Sequence, residues 1–234
     1  MVILTKDTER EMIVNGLSDL FSALNDGERA HLLACMSRRL YRKGDILYRE
    51  GDIPRHLLCL VSGKVKIYKD GVGRSQIVRV VKPIGYFGYR AAFSGQAYIT
   101  EAATLEPSLI VKFPLALVER FIRTNTQLAW FFIRQLSQAL GSSDERTVSL
   151  TQKHVRARMA DSIFYLRDIY GTESDGHTLC SRLSREDMAN LSNMTTSNAI
   201  RTLAAMQQEG LIRLDGRKIS ILDDDELRHV SEIG

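Results

Sequence analysis

Two rhythms divide the chain, and each admits few folds. Between Arg38 and Phe113, short apolar runs recur with glycine turns between them. The runs are Ile46–Tyr48, Leu57–Val61, Val65–Tyr68, Ile77–Val81 and Ser108–Phe113. Gly44-Asp45, Gly51-Asp52, Ser62-Gly63, Asp70-Gly71, Pro83–Gly85 and Gly95 separate them. Strands this short, punctuated this often, predict an antiparallel sandwich or barrel. Alternation along Lys64–Lys69 puts Val65 and Ile67, with Lys69 in the same register, on one face of a half-buried strand. After Pro114 the period turns helical: a short helix over Leu115–Arg123, then a proline-free one from Thr126 to near Leu150, weakened in the middle by Gly141-Ser142-Ser143. Ahead of the strands, Leu17, Leu20, Phe21, Leu24, Leu32 and Leu33 make the first 35 residues helical, with Asp26 capping a second helix from Glu28.

Along the long helix, Phe132, Leu136, Ala139, Ser143 and Leu150 form an apolar seam that needs a partner. Packing on its own β-rich domain and pairing with a second copy both satisfy it.

The strongest local signal lies between Leu183 and Leu203. Ser184 caps a helix with acids in its first turn and runs it to Leu191. Small Ala189 permits a close helix crossing, Ser192-Asn193 turns the chain, and a second helix starts near Thr195. Ala199, Ile200 and Leu203 face the core, leaving Thr196, Ser197 and Arg201 outward, where such a helix meets base edges in a major groove. Thr195 and Asn198 flank them. Two short strands around Asp215-Gly216 then make a hairpin wing that offers Arg217 and Lys218 to phosphates. Ser184 and Arg185 at the first helix start complete the candidate DNA-contacting set.

Charge does not make this case by itself. The 234 residues carry a net +4, but residues 1–152 hold 21 Lys/Arg against 15 Asp/Glu, and residues 153–234 hold 11 against 13. The basic excess lies in the half not expected to read DNA. The three cysteines (Cys35, Cys59, Cys180) are widely spaced and form neither a disulfide framework nor a metal motif. No apolar run has the length of a membrane span and the start is too short for a signal core, so a cytoplasmic protein is expected. Phosphate loops, H-E-x-x-H and G-x-S-x-G are missing, which argues against an enzyme. A rival reading takes the acidic run Asp223–Glu226 as a sign that the C-terminal domain docks on a protein partner instead of DNA.

Taken together, Tyr41–Asp52, Leu60–Val65, Gly85-Tyr86-Phe87-Gly88-Tyr89 and the Pro114–Arg123 helix leading into the long one resemble the Crp/Fnr family of bacterial transcription regulators. The resemblance implies an α+β chain: an N-terminal antiparallel β-roll, jelly-roll-like, over 1–124 as the effector sensor; a dimerisation helix and hinge over 125–152; and a winged helix-turn-helix over 153–234. It also implies a homodimer on a palindromic operator of double-stranded DNA, and RNA polymerase as a partner. Members that bind cyclic AMP carry a Gly-Glu pair and, about ten residues on, Arg-Ser or Arg-Thr; here Gly88 is followed by Tyr89, and Phe93–Ala103 holds no arginine. Cyclic AMP therefore lacks both its ribose acceptor and its guanidinium fork. Arg90 is the substitute anion contact in reach, or a solvated surface charge.

Four-cysteine iron–sulfur sensing fails on the cysteine count. A haem sensor would take His31 or His56 as axial ligand, although a lone histidine is more often a surface residue; no cofactor is fixed by the sequence. Tyr86, Phe87, Gly88, Tyr89, Arg90, Phe93, Tyr98 and Ser143 form the candidate effector pocket between roll and long helix, with plain core packing as the rival account of the rings. Family members usually show Glu where Ser197 stands, so their half-site does not transfer, whereas Arg201 occupies the position of the guanine-gripping arginine.

Overall fold

The computed structural model describes residues 17–233. Two short helices, α1 (Ser18–Ser22) and α2 (Asp26–Cys35), precede strands β1 (Ser37–Tyr41), β2 (Ile46–Tyr48), β3 (His56–Ser62), β4 (Val65–Asp70), β5 (Ser75–Val81) and β6 (Gly85–Phe87). A turn of helix, α3 (Tyr89–Phe93), leads to β7 (Glu101–Thr104) and β8 (Ser108–Pro114), and helices α4 (Leu115–Thr124) and α5 (Thr126–Gln152) follow. The last third holds α6 (Val155–Tyr170), α7 (Arg185–Leu191), α8 (Thr196–Gln208), the hairpin β9 (Ile212–Asp215) and β10 (Lys218–Ile221), and α9 (Asp224–Ile233). The helical reading of residues 1–16 lies outside the described residues. Asn25, not Asp26, caps α2: its side chain accepts from Glu28 N while Glu28 reaches back to Asn25 N, which starts the helix at Asp26.

Two four-stranded sheets, ordered β1-β8-β3-β6 and β2-β7-β4-β5, make the roll. β8 pairs antiparallel with both β1 and β3, and β3 with β6. Alternation along β3 and β8 feeds two cores at once. Leu57, Cys59, Val61, Leu109, Val111 and Phe113 join the cluster with the helices; Leu58, Leu60 and Ile110 face the roll interior with Tyr48, Val65, Ile67 and Phe87. A sheet covered on both faces has no polar side to show, which is why Leu57–Val61 reads as an unbroken apolar run. Lys69, in register with Val65 and Ile67, is exposed near the strand end.

The chain splits into two compact units, one of residues up to 67 with 81–141 and one of 68–80 with 142–234. The long helix runs unbroken through Gly141 and contributes to both. The hairpin tip 68–80 belongs with the C-terminal unit, inside which Arg146 donates to Ile77 O (3.2 Å) and Leu191 O (3.1 Å) and stacks 4.6 Å over Tyr165. Burial pulls the Arg146 guanidinium below its ordinary range. No helix among the described residues is long and apolar enough to cross a membrane.

Candidate nucleic-acid interface and sensor cavity

Two local caps build the helix-turn-helix. Ser184 Oγ accepts from Asp187 N at 3.0 Å and donates to the Asp187 carboxylate at 2.7 Å, opening α7. Thr195 Oγ1 accepts from Asn198 N at 3.2 Å, opening α8 one residue after the start predicted from sequence. Between them Asn193 adopts a left-handed backbone (φ 52°), the conformation Asn tolerates best after Gly. Arg158 donates to the Asn193 carbonyl at 3.0 Å, so the turn is held from α6. Ala189 and Ala199 are fully buried where α7 and α8 pack.

On α8 the buried set is Ala199, Leu203 and Met206, at steps of four and three. Ile200 does not join it. One residue on from Ala199 it turns about 100° away and stands 49% exposed beside Thr196, Ser197 and Arg201. The outward face therefore carries two hydroxyls, a branched apolar side chain and a guanidinium. Arg201 is exposed and donates to Asn198 Oδ1 at 2.5 Å, which pre-orients it along the helix.

The wing departs from its sequence reading in one detail. Lys218 pairs with Asp215, so the two turn residues are Gly216 and Arg217, not Asp215 and Gly216. Gly216 has φ 56° while Arg217 stays at negative φ, the pattern of a II′ turn with glycine first. Arg185 donates to Gly216 O at 2.8 Å, pinning the wing tip to the start of α7. Arg217 is exposed. Lys218 instead bonds Glu173 at 2.9 Å, and Arg182 shares that carboxylate at 3.3 Å. The two hydrogen bonds hold the Glu173 carboxyl below its ordinary range.

In the sensor, the predicted pocket residues divide between two cores. Tyr86 and Tyr89 are buried in the helix-side cluster, with Phe93 packed against it; Phe132 contacts Tyr89, Phe93 and Phe131 at ring separations of 5.1–5.3 Å. Phe87 and Tyr98 lie inside the roll. Gly88 sits between the two groups with φ 82°, and Tyr98 Oη donates to its carbonyl at 2.9 Å. Arg90 is exposed, and Ser143 is exposed on α5 beyond Gly141, in the other unit. The open space lies elsewhere. A cavity of about 520 Å³ is lined by Tyr48, Asp52, Arg55, His56, Tyr98 and Lys112 among others, and Tyr98 alone of the predicted pocket residues reaches it.

The predicted α5 seam also shifts. Phe132, 2% exposed, belongs to its own protomer's core, with Leu136 packed against the same cluster. Ala139 and Leu150 are half-buried and Ser143 exposed. The large apolar residues that α5 leaves open are Trp130, Ile133, Leu140 and Val148. Of the candidate haem histidines, His31 has its Nδ1 3.2 Å from Arg120 and its ring edges Phe121, while His56 is exposed and lines the cavity. Burial pushes the Cys59 thiol up to about 12, leaving it inert at neutral pH. No three His, Cys, Asp or Glu side chains cluster for a metal among the described residues.

Known proteins share both halves. The cyclic nucleotide-binding domain model matches residues 38–125, and the Crp-like helix-turn-helix domain model matches residues 157–230. The chain is 23% identical over 207 residues to the CRP-like cAMP-activated global transcriptional regulator of Mycobacterium tuberculosis, covering 86% of this chain and 92% of that one. It is 27% identical over 191 residues to electron transport regulator A of Shewanella oneidensis, covering 80% and 75%. The structure of FixK2 from Bradyrhizobium japonicum superposes with a TM-score of 0.77 at 19% identity, covering 85% of this chain and 98% of that one. With sensor and reading head matched in the same order along one chain, the protein belongs to the Crp/Fnr family of DNA-binding transcription regulators.

Proposed function

We propose that this regulator is a homodimer reading a palindromic operator, under the control of a small molecule other than cyclic AMP sensed in the roll. The observation that carries the reading is the outward face of α8, where Thr196, Ser197, Ile200 and Arg201 are exposed together, with an exposed Arg217 on the wing. Arg201 has the fork to grip a guanine edge, and Ile200 supplies apolar contact for a thymine methyl. Ser184 and Arg185 at the start of α7, with Thr195 and Asn198 at the start of α8, position that face. Lys218 reaches phosphate only by leaving Glu173.

Dimerisation is supported by the open α5 stripe. Trp130, Ile133 and Leu140, with Ser137 between them, follow the three-and-four spacing of a helix-pairing seam, one residue later than the seam read from sequence. Two reading helices related by a dyad would meet half-sites about 34 Å apart. RNA polymerase is the partner such a promoter-bound dimer would meet. Against cyclic AMP stand the Tyr89 ring, turned into the helix-side core, and Tyr98, stacked on Tyr48 inside the roll.

A ligand change passes, in this reading, along α5 to the junction after Gln152. There Ser149 and Lys153 both hold Asp161 of α6. The experiment is a footprint over the gene's own upstream region across a salt series. Protection of two inverted half-sites, fading steeply with salt, is expected; a flat or absent footprint with and without cell extract would sink the reading. Hydrogen exchange over residues 135–155, compared with and without operator, tests the α5 route: identical protection would exclude it.

A further inference from the structure

The cavity at the end of the roll has a chemistry of its own. Along β8 the even positions turn into the roll, so Lys112 follows Ile110 to the interior face where the sheets part. Its ammonium lies 5.3 Å from the Tyr41 ring, with Arg39 at 4.9 Å from the same ring. Arg55 and His56 enter from the strand start opposite. Among the described residues none of Lys112, Arg55 and His56 makes an ion pair. Asp52, the acid in the lining, accepts from Arg49 N at 2.8 Å. Partial burial, then the charges of Lys112 and Arg55, hold the His56 ring below its ordinary value. The wall is apolar and flat: Tyr48 and Tyr98 stack at 3.8 Å with planes 14° apart. The Tyr98 hydroxyl is committed to Gly88 O, so that residue offers its ring.

We propose that this cavity binds a small carboxylate borne on a flat apolar body, with Lys112 and Arg55 gripping the carboxylate and the Tyr48–Tyr98 pair packing the body. A volume of about 520 Å³ suits a ligand of that size. Charge-assisted contacts favour the anion, and a ring finds offset or edge partners in the tyrosines. The inference rests on the roll being the sensor and names the class of molecule it senses.

The test uses the full-length protein titrated with benzoate, benzyl alcohol, benzylamine and inorganic phosphate, followed by calorimetry and by the His56 ring protons in NMR. Benzoate should bind saturably with a Kd of about 1 mM or tighter, and raise the pH at which His56 titrates. Lys112→Gln and, independently, Arg55→Gln should each weaken benzoate about tenfold with folding unchanged in circular dichroism. Benzylamine should not bind, and benzyl alcohol and phosphate should bind at least tenfold more weakly than benzoate. Equal binding of alcohol and acid, equal binding of phosphate and benzoate, unaltered affinity in both variants, or no saturable benzoate binding would each overturn the proposal. Operator binding is measured in parallel. Benzoate binding without operator binding would fail the regulator reading alone, and the reverse would fail this site alone.

Discussion

The reading head and the roll reach their folds by opposite routes. In the helix-turn-helix, the decisive bonds are short in sequence: Ser184 to Asp187, Thr195 to Asn198, Met194 N to Ala189 O. In the roll they are long: Tyr48 stacks on Tyr98, Cys59 pairs with Val111 and Tyr86, and Gly51 N reaches Tyr98 O. Local bonds survive the loss of any one packing contact, whereas a core assembled from distant segments has its closure entropy repaid only when all its parts meet. The roll should therefore be the more fragile of the two to a single interior deletion.

Tyr98→Ala tests that difference with the largest expected effect. It removes a stacked ring from the roll interior and leaves the Gly88 carbonyl without its donor, at a cost of about 3–5 kcal/mol by analogy with other buried aromatic truncations. Calorimetry should show the sensor melting lower while the C-terminal unit keeps its transition. A uniform fall of both would mean that the two units fold as one, and the contrast would collapse.

Arg201→Ala should leave both transitions alone. Operator affinity should fall by about 1–3 kcal/mol, with relaxed choice at one base pair. Non-specific binding and its salt slope should change little, because the exposed Arg201 is bonded to Asn198 and holds no fold contact between elements. A loss of affinity shared equally by all sequences would reassign Arg201 to phosphate.

The same division decides what the sequence made legible. Caps announce themselves: sequence places Ser184 and the Thr195 region to within a residue, and the flanking turns delimit β2. The missed strands have no pattern of their own. β7 is Glu-Ala-Ala-Thr and β6 is Gly-Tyr-Phe; each is a strand because a neighbour pairs with it. β1 carries Ser-Arg-Arg at a sheet edge, where exposed charge discourages further pairing and hides the strand from an apolar scan. Ile200 and Phe132 make one point: apolarity says that a side chain prefers cover, not which surface supplies it. Ile200 remains open, and Phe132 is covered by Tyr89 and Phe93 of its own chain. The cavity gave no signal, since Lys112, His56 and Arg55 meet only through pairing of β3 with β8.

A smaller change sharpens the local side of the contrast. Ser184→Ala deletes the cap of α7 and should cost about 1 kcal/mol. The loss should be confined to the C-terminal unit and appear as faster exchange of Asp187 N–H, the group it leaves unpaired. Loss of sensor stability in this variant would show that the cap's influence is not local.

Acid should separate the two regions with the least perturbation, because their shifted groups titrate in different windows. In the sensor, His56 is held below its ordinary value of 6.5 by partial burial and by Lys112 and Arg55. The unfolded chain then takes up this proton before the folded one does. The contribution is complete above about pH 6.5 and declines as pH falls through the interval below it. In the C-terminal unit the depressed groups that titrate in acid are carboxylates. Asp175 is lowered from 3.8 by the Thr178 hydroxyl, then by the Thr178 and His177 amides; Glu173 by Lys218 and Arg182; and Glu209 by Arg156. Their contribution is complete above about pH 4.5 and is lost only as pH falls further. Between pH 6.5 and 5 the sensor transition should move down while the C-terminal transition stays put. His56→Gln should remove this group's part of the sensor's dependence, and leave the acid limb of the other unit, below pH 4.5, where it was. Both transitions moving together from pH 6.5 would place the responsible histidine outside the cavity.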